Sequence, residues 1–176
     1  YSFVELIVVL EEMGRRLLCA PYFSTVVLAG QALIHSGEDA AKAAHLPGIA
    51  SGETVATVAF TEPNGRWDES AVTATATADG DTWKINGEKL YVLDGHTADL
   101  IITAARTDAG VSLFAVAGDA AGLTRTSLST MDQTRKQARL EYSDVTGTLI
   151  GTDGSGWDVL STVLDLAAVA LAAEQV

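Results

Sequence analysis

Residues 72–92 read VTATATADGDTWKINGEKLYV, and the texture of this stretch decides the architecture of the chain. Val72 to Thr77 alternates small apolar residues with threonine, the pattern of a strand with one face in water. Asp79-Gly80-Asp81 carries turn chemistry and leads into a second strand, Thr82 to Ile85. Asn86-Gly87 is a tight-turn signal, predicting a hairpin into Glu88 to Val92.

Working outward, the Val-, Ala- and Thr-rich run from Thr54 to Thr61 suits another strand. Leu100 to Arg106, Val111 to Val116, Leu123 to Thr126 and Arg139 to Tyr142 follow as further short strands separated by turns. That spacing predicts a small antiparallel sandwich or barrel.

Both flanks have a different period. Ser2 with Glu5 forms a capping-box pattern, and Phe3, Leu6, Ile7, Leu10 and Met13 place one apolar stripe on a helix running to Leu18. Tyr22 to His35 reads as a second helix, apolar almost all round and therefore buried in a larger body. Glu38 to His45 predicts a short third helix stopped at Leu46-Pro47-Gly48. Helical periodicity returns from Trp157 to Val176. The expected class is α+β, with helical segments flanking a small β-barrel or sandwich. Its division is 1–52, the end of one helical region; 53–150, a β-domain; and 151–176, the first helix of another helical region. A chain that opens almost directly into a helix and closes on an uncapped one reads as an internal piece of something longer.

Composition excludes several roles. A formal net charge of −12 over 176 residues, with the eleven Lys and Arg scattered, argues against nucleic acid and anionic membrane surfaces as partners. The apolar runs Leu6 to Leu10 and Leu166 to Ala173 fall short of the ~20 residues of a spanning helix. The single cysteine, Cys19, permits no internal disulfide and fits a reducing compartment, with the cytoplasm the expected location. Its apolar neighbours Leu17, Leu18 and Ala20 predict a small buried filler. His35, His45 and His96 have no carboxylate or cysteine at ligand spacing, so no metal site is expected.

One ordered set of segments rises above these generic searches. Val58-Ala59-Phe60-Thr61-Glu62-Pro63 closes the first strand. Trp83 to Val92 is followed by Asp94-Gly95 and Ala98-Asp99-Leu100. Then come Asp132-Gln133-Thr134-Arg135, the strand Ala138 to Tyr142 with Asp144-Val145, and Ile150 to Trp157. In this order and at these separations they resemble the middle domain of the acyl-CoA dehydrogenase family, and Leu10-Glu11-Glu12-Met13-Gly14-Arg15 resembles a helix upstream of it.

The resemblance implies FAD as cofactor and an acyl-CoA thioester as substrate. Its α,β-dehydrogenation would pass a hydride to flavin N5, in lipid or steroid catabolism. By the same resemblance Thr61 would offer its hydroxyl and amide to the N1/O2 side of the ring, where a fixed donor favours the electron-rich state. Phe60 would offer its backbone to the pyrimidine edge, and Tyr91 would lie beside the flavin where the family commonly has tryptophan. Val92 and Leu93 complete that wall. Leu93 stands where the family has a threonine donating to N5, leaving only its backbone amide to do so. Trp67 replaces a serine that assists the pyrophosphate, while Arg66 could supply charge to a phosphate. Phe23, Ser24 and Val27 would line the acyl pocket.

No residue of the chain is expected to be the catalytic base, which the family carries beyond the position of Val176. An electron-transfer flavoprotein and a homo- or hetero-oligomeric assembly are the implied partners. The alternatives are a non-catalytic FAD- and substrate-binding subunit of a mixed assembly, a family-fold flavin oxidase or monooxygenase component, and a plain β-sandwich interaction module.

Overall fold

The computed structural model describes residues 2–176; Tyr1, which the sequence reading set at the mouth of the first helix, lies outside them. Helix α1 (Phe3–Arg15) opens with the expected capping box: Ser2 Oγ accepts from Val4 N, and Ser2 N donates to Glu5 at 2.6 Å. It stops three residues short of Leu18 because Leu17 turns left-handed, at φ 52°, and breaks the ladder. Cys19 lies past that break and is exposed, not buried as its neighbours suggested.

The second predicted helix is two. A π-helix, Phe23–Gly30, passes directly into α2 (Gln31–His35). Helix α3 (Asp39–Ser51) runs straight through Pro47, where the sequence predicted a stop, and ends at Gly52 with φ 78°. Proline forfeits one backbone hydrogen bond there; Leu46 and Ile49, on either side of it, pack against the core and offset that loss.

The β-unit comprises β1 (Ala56–Ala59), β2 (Thr75–Asp79), β3 (Thr82–Leu93), β4 (Leu100–Thr107), β5 (Gly110–Ala117), β6 (Leu123–Ser127) and β7 (Gln137–Ile150). Pairing runs β4–β2–β3–β7–β5 and returns from β5 to β4, so the sheet closes into a barrel. β1 lies parallel to β4, and β6 lies against the first half of β7. The barrel is therefore mixed: β1–β4 and the short β2–β4 contact are parallel where an all-antiparallel unit was expected.

Asn86-Gly87 is not a hairpin turn. β3 continues through it with a register shift against β7, a β-bulge. Asn86 is claimed by Asp144, whose amide donates to Asn86 Oδ1 at 2.9 Å and whose carboxylate accepts from Nδ2 at 2.8 Å. Gly87 sits at φ 136°, where a Cβ would come 2.8 Å from Ala74 Cα. β7 likewise extends far beyond Arg139 to Tyr142, since β3, β6 and β5 in turn supply its partners.

Alternation distributes two cores. Ile101, Ala105, Phe114, Val116, Leu140 and Tyr142 point into the barrel. Thr103 also faces inward, hydrogen-bonded at 2.9 Å to the Tyr142 hydroxyl. Leu100, Ile102 and Ala104 of the same strand point outward to Leu10, Val27, Leu28, Leu33, Leu160 and Val163. β4 is thus buried on both faces, and the helices share its outer core.

Helix α4 (Gly156–Glu174) supplies the last wall. By length and composition it is long and apolar enough to cross a membrane, which run length alone had missed; Leu160, Val163, Ala167 and Ala170 instead pack into the core. It crosses α1 so closely that a Cβ on Gly14 would lie 1.9 Å from the Glu174 carbonyl oxygen.

Candidate functional site

β1 ends at Ala59 and the chain leaves the sheet through Phe60, Thr61 and Glu62. Two anchors fix this exit. Leu90 N donates to Thr61 O at 2.8 Å, tying the exit to β3. The Glu62 carboxylate accepts from Thr73 N and Ala74 N at 2.9 Å each, from the Thr73 hydroxyl, and from Lys89 Nζ at 2.8 Å. Glu62 and Lys89 are 3% and 0% exposed, so this is a fully desolvated pair. Burial pushes the Glu62 carboxyl up, but Lys89 and the hydrogen bonds from Lys89, Thr73 and Ala74 together hold it below its ordinary value. Burial draws the Lys89 ammonium below its ordinary value against the pull of Glu62.

Between this exit and α4 lies a cavity of about 580 Å³, within the usual range for small-molecule sites. One wall is Val58, Phe60 and Thr61 with Leu90, Tyr91, Val92 and Leu93. The opposite wall is Leu164, Ala167, Ala168 and Leu171 of α4, with Phe23 and Leu28 of the π-helix. Trp67, Gln137 and Arg135 complete the lining, and among the described residues Arg135 is its one charged side chain.

Two backbone features aim the first wall. Tyr91 sits at φ 57°, an unusual conformation for a bulky residue that costs about 1–3 kcal/mol and persists because its surroundings offset that cost. Here a register shift between Lys89 and Val92 accompanies it, and the tyrosine ring turns outward, 54% exposed. Leu93 O accepts from Thr57 Oγ1 at 2.6 Å. Carbonyl and amide of one strand residue face the same edge. The Leu93 amide is thereby directed towards β1 and the cavity, away from β7.

The structure brings Phe23, Phe60, Thr61, Trp67, Tyr91, Val92 and Leu93 around this one cavity. Trp67 rests edge-on against Phe60, with ring centroids 5.0 Å apart. Ser24, Val27 and Arg66 stand elsewhere. Ser24 is buried behind the wall and donates to Asp94 at 2.6 Å. Val27 is packed in the outer core. Arg66 is exposed and engaged with Asp68 at 2.9 Å and Ser70 at 3.0 Å.

Sequence reading gave no site role to Arg135, Gln137 or the α4 wall. Arg135 pairs with Glu174 at 2.6 Å and lies over the Phe23 ring, 5.1 Å from its centroid. Leu164, Ala167/Ala168 and Leu171 recur at helical spacing, a stripe visible in the sequence but without a stated partner.

A largely apolar cavity lined also by Thr61, Leu93 and Gln137, which bring a few hydrogen-bonding groups, suits a planar heteroaromatic ring with hydrogen-bonding edges. Among the described residues no carboxylate lines the cavity.

A family model described as "Acyl-CoA dehydrogenase, middle domain" matches residues 57–145. The chain is 30% identical over 150 residues to acyl-CoA dehydrogenase FadE29 of Mycobacterium tuberculosis, covering 80% of this chain and 39% of the relative. It thus spans about two fifths of that protein's length. Among solved structures, an acyl-CoA dehydrogenase from Geobacillus kaustophilus matches with a TM-score of 0.89 at 26% identity, over 99% of this chain and 49% of that one. The Tcur3481-Tcur3483 steroid ACAD matches with a TM-score of 0.88 at 31% identity, over 99% of this chain and 48% of its own.

Proposed function

The chain belongs to the acyl-CoA dehydrogenase family, and from that premise we propose that it forms the flavin-facing half of an FAD-dependent enzyme that dehydrogenates an acyl-CoA thioester at its α,β bond. The observation that carries this reading is the largely apolar cavity between the exit of β1 and α4, lined by Thr61 and Leu93 among others. Bound there, FAD would supply the acceptor for the β-hydride. The residues of this chain do the rest of the local work. Thr61 would place a fixed donor where reduced flavin gathers charge. Phe60 and Tyr91 would present backbone and ring to its borders, with Trp67 shielding the rim. Phe23 and the α4 stripe would exclude water from the acyl side.

We place the proton-abstracting carboxylate outside these 176 residues: among the described residues no carboxylate lines the cavity, and Glu174, at the end of α4, is held by Arg135. An electron-transfer flavoprotein as oxidant, an oligomeric assembly and a cytoplasmic setting belong to the same proposal. For the substrate, the 31% identity to a steroid ACAD favours a bulky lipid or steroid acyl group.

A second reading has one specific observation in its favour. Leu93 has no hydroxyl to offer, which suits a chain that binds FAD and substrate within a mixed assembly while a partner chain supplies the base. The test is a visible spectrum of the full-length protein with added FAD, followed by anaerobic addition of acyl-CoA. Flavin uptake and bleaching by the protein alone support the enzyme. Uptake without bleaching until a partner chain is added supports the subunit. A protein that stays colourless with FAD sinks both.

A further inference from the structure

Ser24, which stands outside the cavity, has a contact that the proposed reaction does not use. Its side chain is fully buried, and Oγ lies 2.6 Å from Asp94 Oδ2 and 3.1 Å from Pro21 O. One hydroxyl proton serves one of these, and the shorter, charge-assisted contact to the carboxylate takes it. Thr25, the next residue, exchanges bonds with Ala56 in both directions, at 3.0 and 3.1 Å. Two adjacent hydroxyls on the first turn of the π-helix therefore grip two strands: Thr25 the start of β1, and Ser24 the residue just past the end of β3.

Asp94 is a residue whose backbone needs holding. It adopts φ 52°, left-handed without being glycine, three positions after Tyr91 at φ 57°. The intervening backbone is pinned: Asp94 N donates to Lys136 O at 2.9 Å, Gly95 N to Val92 O at 3.3 Å, and Thr97 N to Asp94 O at 3.0 Å. Leu93 O is taken by Thr57. The Leu93 amide, on the same edge as its carbonyl, is left facing the cavity edge, in a short stretch bounded by the two left-handed residues Tyr91 and Asp94.

We propose that Ser24 and Asp94 are a positioning pair: their hydrogen bond sets the chain at Leu93 so that a backbone amide, not a side chain, meets the redox ring. This rests on the reading that the cavity holds the flavin. It also explains how a leucine can occupy a donor's place, because the donor's aim comes from the π-helix beside it.

The test uses the full-length protein with Ser24→Ala, Asp94→Ala and Asp94→Asn. Asparagine keeps an acceptor for Ser24 and removes the charge. Two readouts are taken: amide hydrogen exchange across residues 92–98 without FAD, and the visible spectrum and midpoint potential of the bound flavin. Ser24→Ala and Asp94→Ala are expected to speed exchange about tenfold, the loss of one such bond, and to shift both flavin signals. Asp94→Asn stays near wild type in both. Ser24→Ala carries the test if Asp94→Ala does not fold.

The proposal is overturned if Ser24→Ala leaves either readout unchanged, because the bond then does not position the ring's partner. It is overturned equally if Asp94→Asn disturbs the flavin as much as Asp94→Ala, which would make charge the cause. Flavin bound but insensitive to the variants removes this inference alone, whereas a wild-type protein that takes up no flavin removes the functional reading beneath it.

Discussion

Two ion pairs border the cavity, nearly equal in length and unequal in setting. Glu62–Lys89 closes at 2.8 Å with both side chains out of water. Arg135–Glu174 closes at 2.6 Å with side chains 31% and 16% exposed. Distance alone would rank the second as stronger. Desolvation reverses that order of consequence: a buried charge that loses its partner has no water to replace it, whereas a half-exposed one does. The first pair joins the exit of β1 to β3, and the second ties a loop to α4. The exit of β1 is therefore tied rigidly to β3, whereas the loop carrying Arg135 is tied to α4 by a contact that solvent can replace.

Breaking the buried pair is expected to have the largest effect. Lys89→Met strands the Glu62 charge and should cost about 3–5 kcal/mol in urea unfolding; a cost under ~1 kcal/mol would erase the contrast. Glu62→Gln keeps a neutral acceptor for the backbone amides but leaves the buried Lys89 charge without its counter-ion, and should likewise cost about 3–5 kcal/mol. It should also remove an acid-sensitive component of stability. The folded Glu62 carboxyl lies below its ordinary value of 4.5, so its contribution is complete above that value. It is lost as pH falls through the lower, folded value, and thermal melts across that acid window should show the decline in wild type but not in Glu62→Gln. The smallest effect belongs to Arg135→Ala, under about 1 kcal/mol. A double-mutant cycle with Glu174→Ala should give coupling of similarly small size, and coupling as large as that of the buried pair would mean the loop is as fixed as the strand.

Strand alternation at 72–77 and the apolar stripe of α1 were legible because each depends on residues a few positions apart. Asn86-Gly87 was misread for the opposite reason. The dipeptide suits a tight turn and a bulge alike, and the choice was made by Asp144, 58 residues away. Pro47 was read as a stop because the burial of Leu46 and Ile49 that carries the helix past it is a tertiary event. At the site, Phe60, Thr61, Tyr91 and Leu93 were legible as a group only through the family resemblance, since no local pattern says that the exit of one strand lies beside another. The α4 wall was not, since a helical stripe does not announce which surface it covers.

The close crossing of α1 and α4 at Gly14 has a consequence for synthesis. The two helices are separated by roughly 140 residues, so a ribosome adding ~5–20 residues per second completes the second on the order of ten seconds after the first. For that interval Leu6, Ile7 and Leu10 emerge without the α4 surface that closes over them. The nascent chain must carry that sticky segment, by chaperone or by transient collapse, until its far end arrives. Gly14 leaves the gap into which the late-arriving backbone of Glu174 settles.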